Sequence, residues 1–145
     1  MCLTLYIGSD IALPRIPWNK DQPRFNTRNL EEEEKPLAAC FTYPEITYAG
    51  GDEGCGCGFR HAILSGAEWL PIVSDNQQGI DNERKNHQDL FDYITSHIKQ
   101  GKIELLACWN GEINVPPRAA RNINVTDLLK DDFYFKEDTF YSITI

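Results

Sequence analysis

A chain of 145 residues, 41% hydrophobic and 11% aromatic, has the length and composition of one folded domain with its own core, neither disordered nor fibrous. Its 14 basic and 22 acidic residues leave a net charge of −8, which argues against nucleic acid and anionic membranes as partners, because both draw affinity from Lys and Arg contacts to phosphate. Five cysteines are too few and too scattered for a disulfide scaffold.

The opening residues, Met1-Cys2-Leu3-Thr4-Leu5-Tyr6-Ile7-Gly8, carry no basic leader region, and no stretch approaches the roughly 18 apolar residues of a membrane span. The expected setting is cytoplasmic and reducing, with cysteines as thiols or metal ligands. Residues 2–8 read as a strand stopped by Gly8-Ser9-Asp10. Loss of Met1 would make Cys2 an N-terminal nucleophile of the amidohydrolase kind, but the chain is shorter than the layered folds that support that chemistry. Cys2 therefore reads as a small apolar strand residue.

Pro14, Pro17 and Pro23 predict an extended connection over 11–29, anchored by Trp18 and Phe25 and closing on a short strand at 25–27. Glu31-Glu32-Glu33-Glu34 is a solvated acidic run, a helical turn ended by Pro36, without the spacing of a calcium loop. Strands are expected at 37–41 and 46–49. Residues 61–72 are apolar and fit strand or helix equally.

The strongest helix signal covers 81–100, with Leu90, Phe91, Ile94 and Ile98 on one face and Gly101 as C-terminal cap. His87 and His97 lie on it some 80° apart around the axis and about 15 Å apart along it, so they share no metal and read as surface residues. A buried strand at 103–109, a break at Pro116-Pro117, a turn capped by Thr126 through Leu129, and a hairpin about Lys136–Thr139 complete the chain. The expectation is a single α+β domain over 1–145, a mostly antiparallel sheet packed against one long helix.

One passage stands apart: Gly50-Gly51-Asp52-Glu53-Gly54-Cys55-Gly56-Cys57-Gly58-Phe59-Arg60-His61. Two cysteines one residue apart, with glycine before, between and after, mark backbone that bends or is closely approached. Four readings follow. As a metal site, Cys55, Cys57 and His61 supply three donors for zinc, and Cys2, Cys40 or Cys108 would have to supply the fourth. As a redox pair, Cys55 and Cys57 need a depressed pKa, and Asp52-Glu53 oppose what Arg60 and His61 favour. As an anion nest, the alternating glycines are countered by the same acidic pair. As structure alone, both cysteines are buried small side chains in a tight bulge or turn.

No Gly-x-Ser-x-Gly elbow accompanies Ser65, His61 and Asp75, so a hydrolase triad has no motif behind it. Trp69, Trp109, Tyr43 and Tyr48 are aromatic residues whose default place is the core.

The start Cys-Leu-Thr-Leu-Tyr-Ile, the core Glu-Gly-Cys-Gly-Cys-Gly-Phe and the later Leu-Ala-Cys-Trp-Asn-Gly resemble a group of small uncharacterised bacterial proteins. The resemblance spans most of the chain and implies a stand-alone bacterial protein, with no activity or catalytic residue to carry over. Two functions stay open: a binding or interaction domain without catalytic chemistry, its partner a protein or small molecule, or a thiol site at Cys55 and Cys57 that binds zinc or acts in redox. Cys2, Cys40 and Cys108 are expected to be buried and inert.

Overall fold

The computed structural model describes residues 2–99, 103–112 and 116–145. Strands β1 (Leu3–Ser9), β2 (Asn26–Arg28), β3 (Glu45–Gly50), β6 (Ile103–Trp109), β7 (Ala119–Asn124) and β9 (Thr139–Thr144) form a six-stranded sheet in the order β2-β3-β1-β6-β9-β7. A smaller sheet has the order β5-β4-β8, from β4 (His61–Ser65), β5 (Glu68–Ile72) and β8 (Phe135–Lys136). Pairing is antiparallel except for β4 with β8 and β7 with β9. With one long helix, α1 (Gln77–His97), the domain is α+β as expected.

Every residue of β1 is buried, which explains its weak alternation: both faces of a central strand are covered. Leu5 and Ile7 point into the main core with Leu90, Ile94, Ile103 and Leu105, while Tyr6 points to a second cluster with Leu37, Tyr48 and Leu106. Burying each such aliphatic side chain stabilises the fold by about 1.5–3 kcal/mol.

Helix α1 starts four residues before the expected position, at an N-cap the hydrophobic spacing does not reveal: the Asn76 side chain accepts a bond from the Gly79 amide at 2.8 Å. It ends at His97, and the expected cap Gly101 lies outside the described residues. The buried stripe of α1 is longer than its apolar residues alone suggest, because it continues upstream through Asn86 and His87.

Three local expectations are corrected. Residues 37–40 belong to a 3-10 helix, Glu32–Cys40, and are not a strand. The helix runs through Pro36 because a Glu31/Glu34 capping box starts it and Leu37 anchors its far side in the second cluster. The turn Val125–Leu129 is capped by Asn124 and not Thr126, since the Asn124 side chain accepts the Thr126 amide at 3.0 Å. The tail is no hairpin: β8 pairs with β4 in one sheet and β9 with β6 and β7 in the other. Phe135 is wholly buried against Phe59, Phe133 and Tyr141, and the Phe135 and Glu137 amides donate to the Arg60 and Ala62 carbonyls at 2.8 and 3.0 Å, which holds β8 beside β4. Residues 61–72 resolve as a β-hairpin turning at Gly66, whose φ of 63° favours glycine. No helix among the described residues is long and apolar enough to cross a membrane.

Candidate metal centre

The glycine-rich passage leaves β3, makes a turn, and enters a short 3-10 helix, Gly56–Gly58, before β4. The Gly51 amide donates to the Cys55 carbonyl at 2.8 Å and the Gly54 amide to the Gly51 carbonyl at 3.0 Å, with Gly54 at φ 79°. Trp18 closes the turn from outside: its indole donates to the Asp52 carbonyl at 2.9 Å and its ring lies over Gly54.

Close approach explains the glycine between the cysteines. A Cβ at Gly56 would stand 2.3 Å from the Leu3 carbonyl oxygen and 2.8 Å from the Thr4 Cα. The turn is thus pressed directly onto the start of β1. Asn86 of α1 fastens the other side, its amide donating to the Gly58 carbonyl and the Asp52 carboxylate, each at 2.8 Å. Asn82 donates to the second Asp52 oxygen at 3.1 Å. Asp52 is therefore committed to the helix amides, and the acidic pair that weighed against a thiol site is half accounted for.

Pressing this turn onto β1 brings the sulfurs of Cys2, Cys55 and Cys57 within 4.8 Å of one another. Cys2 is held just ahead of β1, where its carbonyl accepts the Asn110 amide at 2.8 Å. Four-coordinate zinc with bonds of about 2.3 Å requires sulfur separations of about 3.8 Å, so the three atoms need close by no more than roughly 1 Å. Cys55 is half-buried and Cys57 exposed, which corrects the reading of both as buried small side chains. Lost solvation at the sulfur and the neighbouring Cys2 and Cys55 thiols still push the Cys57 thiol well above its ordinary range, because three thiols so close cannot all ionise unaided.

His61 takes another place. Its ring is buried, with Nε2 at 2.7 Å from the Gly56 carbonyl, and it stands outside the three-sulfur group. Its Nδ1 has no hydrogen-bond partner among the described residues. Burial drives His61 down to about 4, so the ring is neutral and Nε2 carries the proton shared with Gly56. The structure brings Cys55 and Cys57 together with Cys2 and leaves His61 outside the group, and Cys2, expected to be buried, is half-buried.

Cys108 does match that expectation: it is buried beside Thr4, and burial raises its thiol to about 11. Cys40 is half-buried and packs against the second cluster. His87, expected at the surface, is buried and joins three elements. Its Nε2 accepts the Arg60 amide at 3.0 Å and its Nδ1 donates to the Leu128 carbonyl at 2.9 Å.

Two cavities are lined in part by the cysteines. One of about 360 Å³ is lined by Cys2, Cys55, Tyr48, Arg28 and Glu34, among others. The second, about 210 Å³, is lined by Cys57, His61, Trp109 and Glu83, among others. Three sulfurs leave one position of a tetrahedron unfilled, so these openings give a fourth ligand a route in. No protein-family model, curated protein or solved structure matches the chain.

Proposed function

We propose that this is a small binding domain in which Cys2, Cys55 and Cys57 hold a soft metal ion, zinc in the first instance. The observation that carries the reading is the mutual approach of the three sulfurs to within 4.8 Å, in a turn whose backbone is fixed from both sides. Thiolate sulfur favours zinc and copper(I) over harder ions, and zinc accepts three thiolates with a water or an exchangeable donor in fourth place. Binding would displace the thiol protons and tie the start of β1 to the Gly56–Gly58 turn.

The test is metal content by native mass spectrometry of protein purified without chelator, followed by cobalt(II) replacement. One ion per chain is expected, with thiolate-to-metal charge-transfer bands and the d–d spectrum of a tetrahedral site. Cys2→Ser, Cys55→Ser and Cys57→Ser should each weaken binding at least about 10-fold, and Cys108→Ser should not. A protein that takes up no metal, or keeps full affinity after Cys2→Ser, overturns the assignment. Recovery of a Cys55–Cys57 disulfide with no metal uptake would move the site to redox chemistry.

A further inference from the structure

A cavity of about 470 Å³ lies away from the cysteines, between the edge strand β7 and the smaller sheet. Its volume is that of a small-molecule site. Trp69, Pro71 and Phe133 give it apolar walls, and Arg121, Lys136 and Tyr141 bring polar groups to it.

The charges are arranged unlike those of the rest of the chain. Lys130 at the rim is paired with Asp127 at 2.6 Å, and Asp132 lies close enough to act on the same ammonium. Arg121 and Lys136 form no ion pair among the described residues, although acidic groups outnumber basic ones 22 to 14 in the whole chain. Both line the same cavity, and burial, and next the Arg121 charge, pushes the Lys136 ammonium below its ordinary range. Lys136 Nζ also stands 5.1 Å above the Trp69 ring, which fixes it over the aromatic wall.

A third group points to an anion. The buried Tyr141 oxygen accepts the Lys136 amide at 2.7 Å, and its own proton has no acceptor among the described residues. Burial raises that phenol to about 12, so it stays a donor. Tyr141 and Arg121 are register partners on β9 and β7, so the two residues that line the cavity sit side by side on neighbouring strands. An unpaired guanidinium, an unpaired ammonium and a donor hydroxyl converge where Trp69 and Phe133 offer flat apolar surface.

We propose that this cavity binds a small organic carboxylate on a flat apolar body, with the body against Trp69 and Phe133 and the carboxylate among Arg121, Lys136 and the Tyr141 hydroxyl. A carboxylate fits better than a phosphate, because Asp132 in the same lining disfavours a second negative charge. The planar guanidinium matches two carboxylate oxygens at once.

The test uses the whole chain and two isosteric probes, 2-naphthoate and neutral 2-naphthamide, followed through the indole N–H signals of Trp18, Trp69 and Trp109 in NMR titrations. Trp69→Phe assigns its signal. Naphthoate should move the Trp69 signal and leave Trp18 still, with a Kd on the order of 1 mM or tighter. Naphthamide should bind about 10-fold more weakly. Arg121→Gln and Lys136→Gln should each weaken naphthoate by about 10-fold and leave naphthamide unchanged, while Tyr141→Phe weakens naphthoate by about 3-fold or more. Equal affinity for acid and amide overturns the proposal, as does naphthoate binding indifferent to both cation substitutions or no response of Trp69 at millimolar naphthoate. Arg121 and Lys136 are at least partly exposed, so their variants should keep the native dispersion of the spectrum.

Discussion

Asn86 and Gly58 meet where helix and cysteine turn are joined: the Asn86 amide nitrogen donates to the Gly58 carbonyl at 2.8 Å, and a Cβ at Gly58 would stand only 2.6 Å from that nitrogen. The bond and the missing side chain are one device. Asn86 also accepts the Asp52 amide at 3.2 Å and donates to the Asp52 carboxylate, so one buried side chain satisfies both ends of the turn. Asn86→Ala leaves the Gly58 carbonyl and the Asp52 amide short of partners and should cost about 2–4 kcal/mol by denaturant unfolding. Zinc affinity should fall in the same variant, because Cys55 and Cys57 lie between the two anchored ends.

Gly56→Ala and Gly66→Ala make a controlled pair. At Gly56 the new methyl meets the Leu3 carbonyl at 2.3 Å, and backbone cannot yield as a side-chain tip can. Destabilisation of at least about 3 kcal/mol is expected, with loss of the three-sulfur arrangement. At Gly66, with φ 63° but nothing within 4 Å, only the left-handed conformation is penalised, by about 1 kcal/mol. Equal costs for the two would mean that the turn is not pressed on β1.

His87 sets an acid dependence. Burial first, then the Arg60 guanidinium and the neighbouring His61 ring, lower it to about 3 from the ordinary value of 6.5. Below pH 6.5 the unfolded chain takes up a proton that the folded ring refuses. Stability is therefore full above that pH and declines as pH falls toward 3, by an amount on the order of 4 kcal/mol from this ring. Denaturant midpoints measured from pH 7 to 4 should fall accordingly, and His87→Gln should flatten the slope while lowering stability at neutral pH. An imidazole carbon–proton NMR shift for His87 that titrates near 6.5 would contradict the buried neutral ring.

Glu34 carries a charge that matters to the wall of the cavity beside Cys2. It accepts the Tyr6 hydroxyl at 2.9 Å, both Arg28 nitrogens at 2.7 and 2.9 Å, and the Glu31 amide at 2.8 Å. Burial raises its pKa, but the bonds from Arg28, the Glu31 amide and Tyr6 outweigh that and hold it below the ordinary value. Glu34→Ala strands the Arg28 guanidinium, which rests 3.8 Å over the Tyr48 ring, and should cost about 3 kcal/mol. Glu34→Gln keeps the shape and should cost less, about 1–2 kcal/mol. Thermal unfolding of both variants distinguishes the charge from the packing.

Legibility in the sequence follows the range of the interaction. The strand Ile103–Trp109 and the body of α1 are visible because hydrophobic spacing is a local property. Cys55-Gly56-Cys57 stands out for its glycines, which answer to close backbone contact. Cys2 could be named only as one of three candidates for a further donor, since its meeting with Cys57 depends on where a turn more than fifty residues later is laid down. Asn86 and His87 were concealed as polar residues. The available sign was their position one turn upstream of Leu90 on the stripe that continues to Ile94. The parting of β8 from β9 has no local sign, because β8 pairs with β4 more than seventy residues earlier and Phe135 packs on the distant Phe59 and His87.

Glu137 follows directly on β8, and its carboxylate accepts the Leu64 amide of the small sheet at 2.9 Å and the Trp109 indole of the large one at 2.5 Å. One side chain thus ties the two sheets together, beside the Lys136 amide bond to the Tyr141 hydroxyl and a common apolar filling. The carboxylate-binding cavity has a wall on each sheet, Trp69 on one and Arg121 on the other. Glu137 is not among the residues that line the cavity, so a ligand that spreads the walls would have to work against a fastening outside its reach.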